Sequence, residues 1–492
     1  MAASTYQEYL EQTGEYGVVQ EIREPLAIAQ GLPDATLGEV VIFESGERGY
    51  ITGLSRDAVE IVLLTRNPIR LRSKVTRTQQ ELTVPVGEGL RGKVVDSMGI
   101  EIDGGVSRPV AADGGEERVL ETRPPTIADR TKITDQLHTG VSLVDILLPL
   151  SHGQRSVVLG DQKTGKTSFL MSLLKAQADA GTVVVYAAIG KRWRDLHRSI
   201  AYLHTKTIKE NVVIMAAMPH DAPSKIITTP YAAMAVAEYF RDQGNNVVVV
   251  LDDLSTHAKF YREMSLLGKR FPGRESYPGD MFYVHARLLE RAGKFKEGAI
   301  TCLAVAETVN NALTSTIVSN LISITDGHLL FDTAIYNQGR HPAIDFSLSV
   351  TRVGKQVQSE VGRKLQQRIT ALLAKHADAE RFTHFGAELS EEVQDTLSIG
   401  GQLLAFFSQP ATVNVPLAVQ YVMAAMIGLH WFKGISPMHV ARWRACLLEQ
   451  YHANSDVRGF IDDVADTQTL DELLSALPRH KDTLMGLCQV RS

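Results

Sequence analysis

The chain has 492 residues, 44% hydrophobic and 22% charged, with 51 Lys and Arg against 56 Asp and Glu for a formal net charge of −5. That composition excludes a disordered or fibrous protein, and the acidic balance argues against one held to nucleic acid by phosphate contacts, which need a large basic surface. Three widely spaced cysteines, Cys302, Cys446 and Cys488, offer neither a disulfide framework nor a CxxC metal site and read as buried or incidental thiols in a reducing compartment.

The N-terminal stretch MAASTYQEYLEQTGEY is polar and acidic, unlike a secretory signal. No run reaches the roughly 18 apolar residues of a bilayer span, so any membrane association is expected through partners. At about 100–200 residues per domain the length calls for about three domains. In residues 1–89, short apolar runs rich in β-branched residues recur: Gly17–Ile22, Glu39–Phe43, Gly49–Leu54, Ala58–Leu64 and Val84–Val86. Their spacing of about ten residues predicts a small all-β barrel or sandwich. A loop-rich segment follows, with Gly104-Gly105, Gly114-Gly115 and Pro124-Pro125 marking turns.

From Arg155 the pattern changes. Apolar runs of strand length, Ser156–Leu159, Val183–Ile189, Val212–Ala216, Val247–Leu251, Ile300–Ala306 and Leu321–Ile324, alternate with helical stretches such as Ser168–Ala178 and Pro230–Arg241. Such alternation predicts a parallel sheet covered on both faces. Beyond about Gln356 strands give way to helical stripes, Val361, Leu365, Ile369 and Leu372, then Leu470, Leu473, Leu474 and Leu477. The expected architecture is an N-terminal β-barrel (1–89), an α/β P-loop (RecA-like) nucleotide-binding domain (90–358) and a C-terminal helical domain (359–492).

Gly160, Asp161, Gln162, Lys163, Thr164, Gly165, Lys166 and Thr167 fit G-x-x-x-x-G-K-[ST], after an apolar strand and at the start of a helix. The glycines let backbone N–H groups curl around phosphate oxygens, and the helix N-terminus adds a positive dipole end. Lys166 is expected to reach the β- and γ-phosphates of ATP or ADP, and the Thr167 hydroxyl to ligate Mg²⁺. Val247–Leu251 then runs into Asp252-Asp253. An acid at such a strand end holds Mg²⁺ through water, the role expected of Asp252; Asp253 is placed to cap the next helix.

Several ordered motifs closely resemble the alpha subunit of the F-type ATP synthase family. They are Val86 to Asp96, Gln136 to Gly140, Pro149 to Arg155, Asp252 to Ser255 with Tyr261 to Leu267, Pro272 to Asp280, Arg287 to Ala292, Ile322 to Gly327 and Pro342 to Gly354. The resemblance spans nearly the whole chain and implies the same three-domain fold. In that family alpha and beta subunits alternate in a hexameric ring around a rotating central stalk, and only beta sites turn over. The catalytic paralogue places a Glu after a Gly at the end of the strand that follows the P-loop helix. Here Lys191 follows Gly190, and a cation cannot act as the base that positions water. The resemblance therefore implies a non-catalytic nucleotide site. It also implies that Arg352, in Ser349-Val-Thr-Arg, is an arginine finger reaching into a neighbouring beta site.

The resemblance further implies ATP or ADP with Mg²⁺ as ligands. Implied partners are catalytic beta subunits, the gamma central stalk and a peripheral stalk, and the implied location is the cytoplasmic face of a bacterial plasma membrane, reached through other subunits. Departures from the family pattern are Gln162-Lys163 in the P-loop, Glu307 to Ala312, Thr351 before the finger, and Pro410-Ala411 after Gln409, the first glutamine of the family's adenine-pocket pair. The β pattern begins near Gly17, which leaves a short N-terminal arm. The competing reading is a self-sufficient homohexameric P-loop ATPase, of secretion type or an RNA translocase, which requires a carboxylate in place of Lys191.

Overall fold

The computed structural model describes residues 5–102, 108–110, 115–383 and 390–488. The expected Gly104-Gly105 turn and Gly114 lie outside them. Strands Gly17–Arg23, Leu26–Gln30, Glu39–Phe43, Arg48–Leu54, Val59–Leu63 and Lys74–Glu81 close into a barrel. Alternate residues such as Val19, Val41, Phe43, Ile61 and Val75 fill its interior, the period-2 consequence of strand geometry.

Two barrel strands escaped the sequence reading. Leu26–Gln30 has a single β-branched residue, and Lys74–Glu81 is mostly polar. What makes the second a strand is tertiary pairing on both sides, with Glu39–Phe43 and Gly17–Val18. Conversely, Thr83–Val86 lies outside the barrel and pairs with Glu116–Val119.

The central sheet orders its parallel strands as Val94–Val95, Val212–Ala217, Val183–Ile189, Asn246–Asp252, Ala299–Glu307, Arg155–Gly160 and Gly327–Phe331. Successive residues divide between two cores. Val184, Tyr186 and Ala188 face the layer that includes Lys166–Asp179 and the C-terminal helices, whereas Val183, Val185 and Ala187 face the layer built on Pro223–Asp242. Burial on both faces is why these strands read as continuous apolar runs.

One predicted strand is a helix: Leu321–Ile324 forms the end of Thr316–Ile324, which buries Ile317, Val318 and Leu321, and the strand is the following Gly327–Phe331. A four-residue apolar run carries too little periodicity to separate the two. The helix over Pro230–Arg241 likewise starts earlier, at Pro223, with Pro230 inside it.

C-terminal helices Glu360–Thr383, Glu391–Phe407, Leu417–Gly428 and Pro437–Ala453 pack around Leu403, Phe406, Val422 and Leu447. Cys446 and Cys488, read from sequence as free thiols, are joined by a disulfide across a separation of 42 residues. Helix packing brings them together, and spacing along the chain does not report it. Only Cys302 is free; burial in the central sheet pushes its thiol up to about 12. No described helix is long and apolar enough to cross a membrane.

His257 and His285 are wholly buried where Leu254–Leu267 meets Met281–Leu289, with Nδ1 and Nε2 3.2 Å apart. Burial lowers both, His257 to about 4 and His285 well below its ordinary value. Both groups are held neutral in the fold and charge more readily when unfolded, so stability falls as pH drops from about 6.5 towards 4. His257 alone is expected to remove about 2 kcal/mol by about pH 5. Denaturant midpoints of the wild-type chain should therefore drop more between about pH 7.5 and 5 than those of His257→Gln; equal drops would rule this contribution out.

Candidate nucleotide-binding site

The Arg155–Gly160 strand delivers the loop and the Lys166–Asp179 helix receives it. Gly160 has φ +149°, and a Cβ there would stand 2.6 Å from the Phe331 carbonyl oxygen, so no side chain fits. Gly165 has φ +94° at the helix N-cap, a conformation glycine adopts readily. The Lys166 ammonium donates to the Gly160 and Asp161 carbonyls at 2.6 and 2.7 Å. Burial lowers its pKa, with Glu307 and Asp252 acting in the opposite direction. Gln162, Lys163 and Thr167 are exposed, while Thr164 is buried with its hydroxyl on the Asp161 carbonyl.

Asp161 buttresses the loop. Its carboxylate accepts from the Thr308 hydroxyl at 2.5 Å and the Asn311 N–H at 3.0 Å. Burial works to raise its pKa, and these bonds outweigh it, leaving the carboxyl below its usual value. Glu307 pairs in register with Gly160 and accepts from the Gln162 amide at 3.2 Å. The sequence reading did not place Glu307 at the loop. Its position at the end of an apolar strand was the available signal, but adjacency to Gly160 depends on strand order.

At the neighbouring strand ends, Ala188 pairs with Asp252, and Gly190 (φ +65°) turns the chain so that Lys191 crosses towards it. Lys191 Nζ lies 2.8 Å from Asp252 Oδ1 and 3.4 Å from Asp253 Oδ2. Burial opposes the ammonium, yet the two carboxylates outweigh it and raise the Lys191 pKa. Tyr186 donates to Asp252 Oδ2 at 2.9 Å, and burial, then the Asp252 charge, raises that phenol well above its ordinary value. Asp253 caps the next helix, accepting from Thr256 N–H at 2.6 Å.

These contacts bear on the expected Mg²⁺ site. The Thr167 hydroxyl is exposed at the helix start, but Asp252 is 2% exposed and each of its oxygens already has a cationic or hydroxyl partner. The pair does not fit a hydrated divalent cation in this arrangement. Among the described residues, no group of three or more His, Cys, Asp or Glu is arranged to hold a metal.

Beside the loop, Val141, Gly165, Phe169, Tyr336, His341 and Pro410 help line a cavity of about 260 Å³. Gln409 is in its wall, 3% exposed, with its amide fully engaged. Oε1 accepts from the Ser142 N–H and hydroxyl at 3.1 and 3.2 Å, and Nε2 donates to the Gly140 and Val413 carbonyls. The amide holds the wall together and has no group left over for a base.

Arg352 lies away from this loop. Val350–Thr351 pairs antiparallel with Gly327–His328, the Arg352 N–H donates to the Asp326 carbonyl at 3.0 Å, and the Thr351 hydroxyl donates to the Pro149 carbonyl at 2.8 Å. Asp326 is itself bound by Arg155, whose Nη2 lies 2.9 Å from Oδ1. The Arg352 side chain is exposed and forms no ion pair with any described residue.

A parallel sheet with one strand running through a glycine loop into a helix, and with acidic residues at the end of a strand two places away in the sheet, defines a P-loop nucleotide-binding protein. Residues 140–351 match the nucleotide-binding domain of the ATP synthase alpha/beta family, and residues 358–477 match the C-terminal domain of the ATP synthase alpha/beta chain. The chain is 39% identical over 424 residues to ATP synthase subunit alpha 2 of Gluconobacter oxydans, covering 85% of this chain and 83% of that one. It is 34% identical over 474 residues to ATP synthase subunit alpha of Neorickettsia sennetsu, covering 94% and 92%. With ATP synthase subunit alpha 1 of Paraburkholderia xenovorans it is 35% identical over 466 residues, covering 94% and 91%. The chain belongs to the ATP synthase alpha-subunit family.

Proposed function

We propose that this chain is the non-catalytic, regulatory nucleotide-binding subunit of a rotary F-type ATP synthase or ATPase. It alternates in a ring with catalytic beta subunits around a gamma stalk, and the ring couples ATP synthesis or hydrolysis to proton or sodium transport. The assembly sits at the cytoplasmic face of a bacterial plasma membrane, attached through other subunits including a peripheral stalk. The P-loop residues 160–167 hold the phosphates of ATP or ADP, and the cavity walled by Gln409 takes the base. Arg352 serves the neighbouring beta site. The domain limits at 89 and 358 belong to the same reading.

One observation carries the non-catalytic assignment. The position that needs a water-positioning carboxylate holds Lys191, and its ammonium is tied to Asp252 and Asp253. A base must accept a proton from the attacking water, and an ammonium has no lone pair to do so. The purified chain alone is expected to bind ATP and hydrolyse it far below the ~1–10³ s⁻¹ of ordinary enzymes. Sustained turnover in that range by the chain alone would favour a self-sufficient homohexameric ATPase instead.

A further inference from the structure

We propose that the Lys191 ammonium takes the electrostatic place of the divalent cation at this nucleotide site, so that ATP binds almost equally well with and without Mg²⁺. The proposal rests on the nucleotide-binding reading above and concerns how that same site balances its charge.

A P-loop site ordinarily sets an acid at a nearby strand end to help hold a hydrated Mg²⁺ at the phosphates. Here that acid faces a lysine. Lys191 Nζ lies between Asp252 Oδ1 and Asp253 Oδ2, and its side chain is 25% exposed. The remaining oxygens are also engaged, Asp252 Oδ2 by the Tyr186 hydroxyl and Asp253 Oδ1 by the Thr256 N–H. A hydrated cation drawn to Asp252 would have to displace the ammonium or stand beside a like charge in a poorly solvated place.

The same ammonium offers what the nucleotide requires. The Lys191 charge offsets one of the two carboxylates it lies between, and it acts on Lys166 together with Asp252 and Asp253. Lysine acts towards phosphate as a compact point charge with three donors. The two carboxylates account for two of its N–H donors, and the third can turn to a phosphate oxygen without recruiting a metal. Gly190 in the left-handed region, where a Cβ would meet Thr256 Cγ2 at 2.7 Å, fixes the turn that aims Lys191 at Asp252.

Calorimetric titration of the full-length chain with ATP, in Mg²⁺ and then in EDTA, tests this directly. The wild-type Kd is expected to change by less than about threefold, whereas Lys191→Gln should bind at least about tenfold tighter with Mg²⁺ than without it. Lys191→Arg keeps the charge and should remain as indifferent to Mg²⁺ as the wild type. Thermal melts of the three proteins separate a charge effect from unfolding, and the wild-type titration stands even where a variant fails to fold. A wild-type loss of about tenfold or more in EDTA would overturn the proposal, as would a folded Lys191→Gln that stays indifferent to Mg²⁺. ATP binding that is present but Mg²⁺-dependent leaves the nucleotide-binding reading standing, while no ATP binding in either condition removes both.

Discussion

Arg352→Ala, in a ring reconstituted with catalytic beta subunits, is expected to lower ATP hydrolysis by about 10³–10⁵-fold while the ring still assembles. An arginine finger acts by placing a fixed positive charge where the transferring phosphoryl group accumulates negative charge, in a site from which water is largely excluded. Two features of the structure suit Arg352 to that role. Its backbone is pinned by Asp326 and, through Thr351, by Pro149. Its side chain is exposed and uncommitted to any ion pair with a described residue. Removing it breaks no ion pair or side-chain hydrogen bond with a described residue, so native mass spectrometry should show intact rings. Steady-state hydrolysis measures the loss, and unchanged activity would discard the assignment. Arg352→Lys should recover only part of the rate, because an ammonium cannot reproduce the planar fork of guanidinium donors.

The second large effect is structural. Among the described residues, Arg291 is the largest fully buried side chain, 1% exposed. It meets Glu238 through two hydrogen bonds, Nε to Oε1 at 2.8 Å and Nη2 to Oε2 at 2.7 Å, and donates through Nη1 to the Leu120 carbonyl at 2.6 Å. One guanidinium therefore ties the segment after Glu116–Val119 to the buried Pro223–Asp242 helix. Arg291→Met leaves the Glu238 carboxylate buried without its partner, a change that costs about 3–5 kcal/mol. The expected readout is a lower thermal midpoint and reduced soluble yield. Adding Glu238→Leu removes the stranded charge and should restore most of the midpoint, since apolar pairs commonly replace buried ion pairs without loss. A double variant as unstable as Arg291→Met would show that the Leu120 contact, rather than the stranded carboxylate, carries the effect.

The sheet was legible where chemistry is local. Val183–Ile189 reads as a buried strand because both of its faces are covered, and the observed strand has the same limits. The polar Lys74–Glu81 strand was illegible because its partners, not its residues, make it a strand. Leu321–Ile324 was misread because four apolar residues suit either secondary structure. At the site, the G-x-x-x-x-G-K-T loop could be recognised residue by residue, and Asp253 could be read as a helix cap from its place before Leu-Ser-Thr. The cysteine pair could not be read at all, because Cys446 and Cys488 meet only after the helices pack.

By itself the sequence determined the P-loop, the alternation of buried strands and helices, the family, and the lysine that follows Gly190. Each is written in neighbouring residues, since turn geometry, strand period and motif chemistry act over a few positions. Tertiary structure decided which distant groups meet: Lys191 with Asp252, Glu307 with Gln162, and the Gln409 amide with Ser142 and Gly140. Those meetings depend on the order of strands in the sheet and on where the helical domain docks. The electrostatic character of the nucleotide site therefore appears only once the chain is folded.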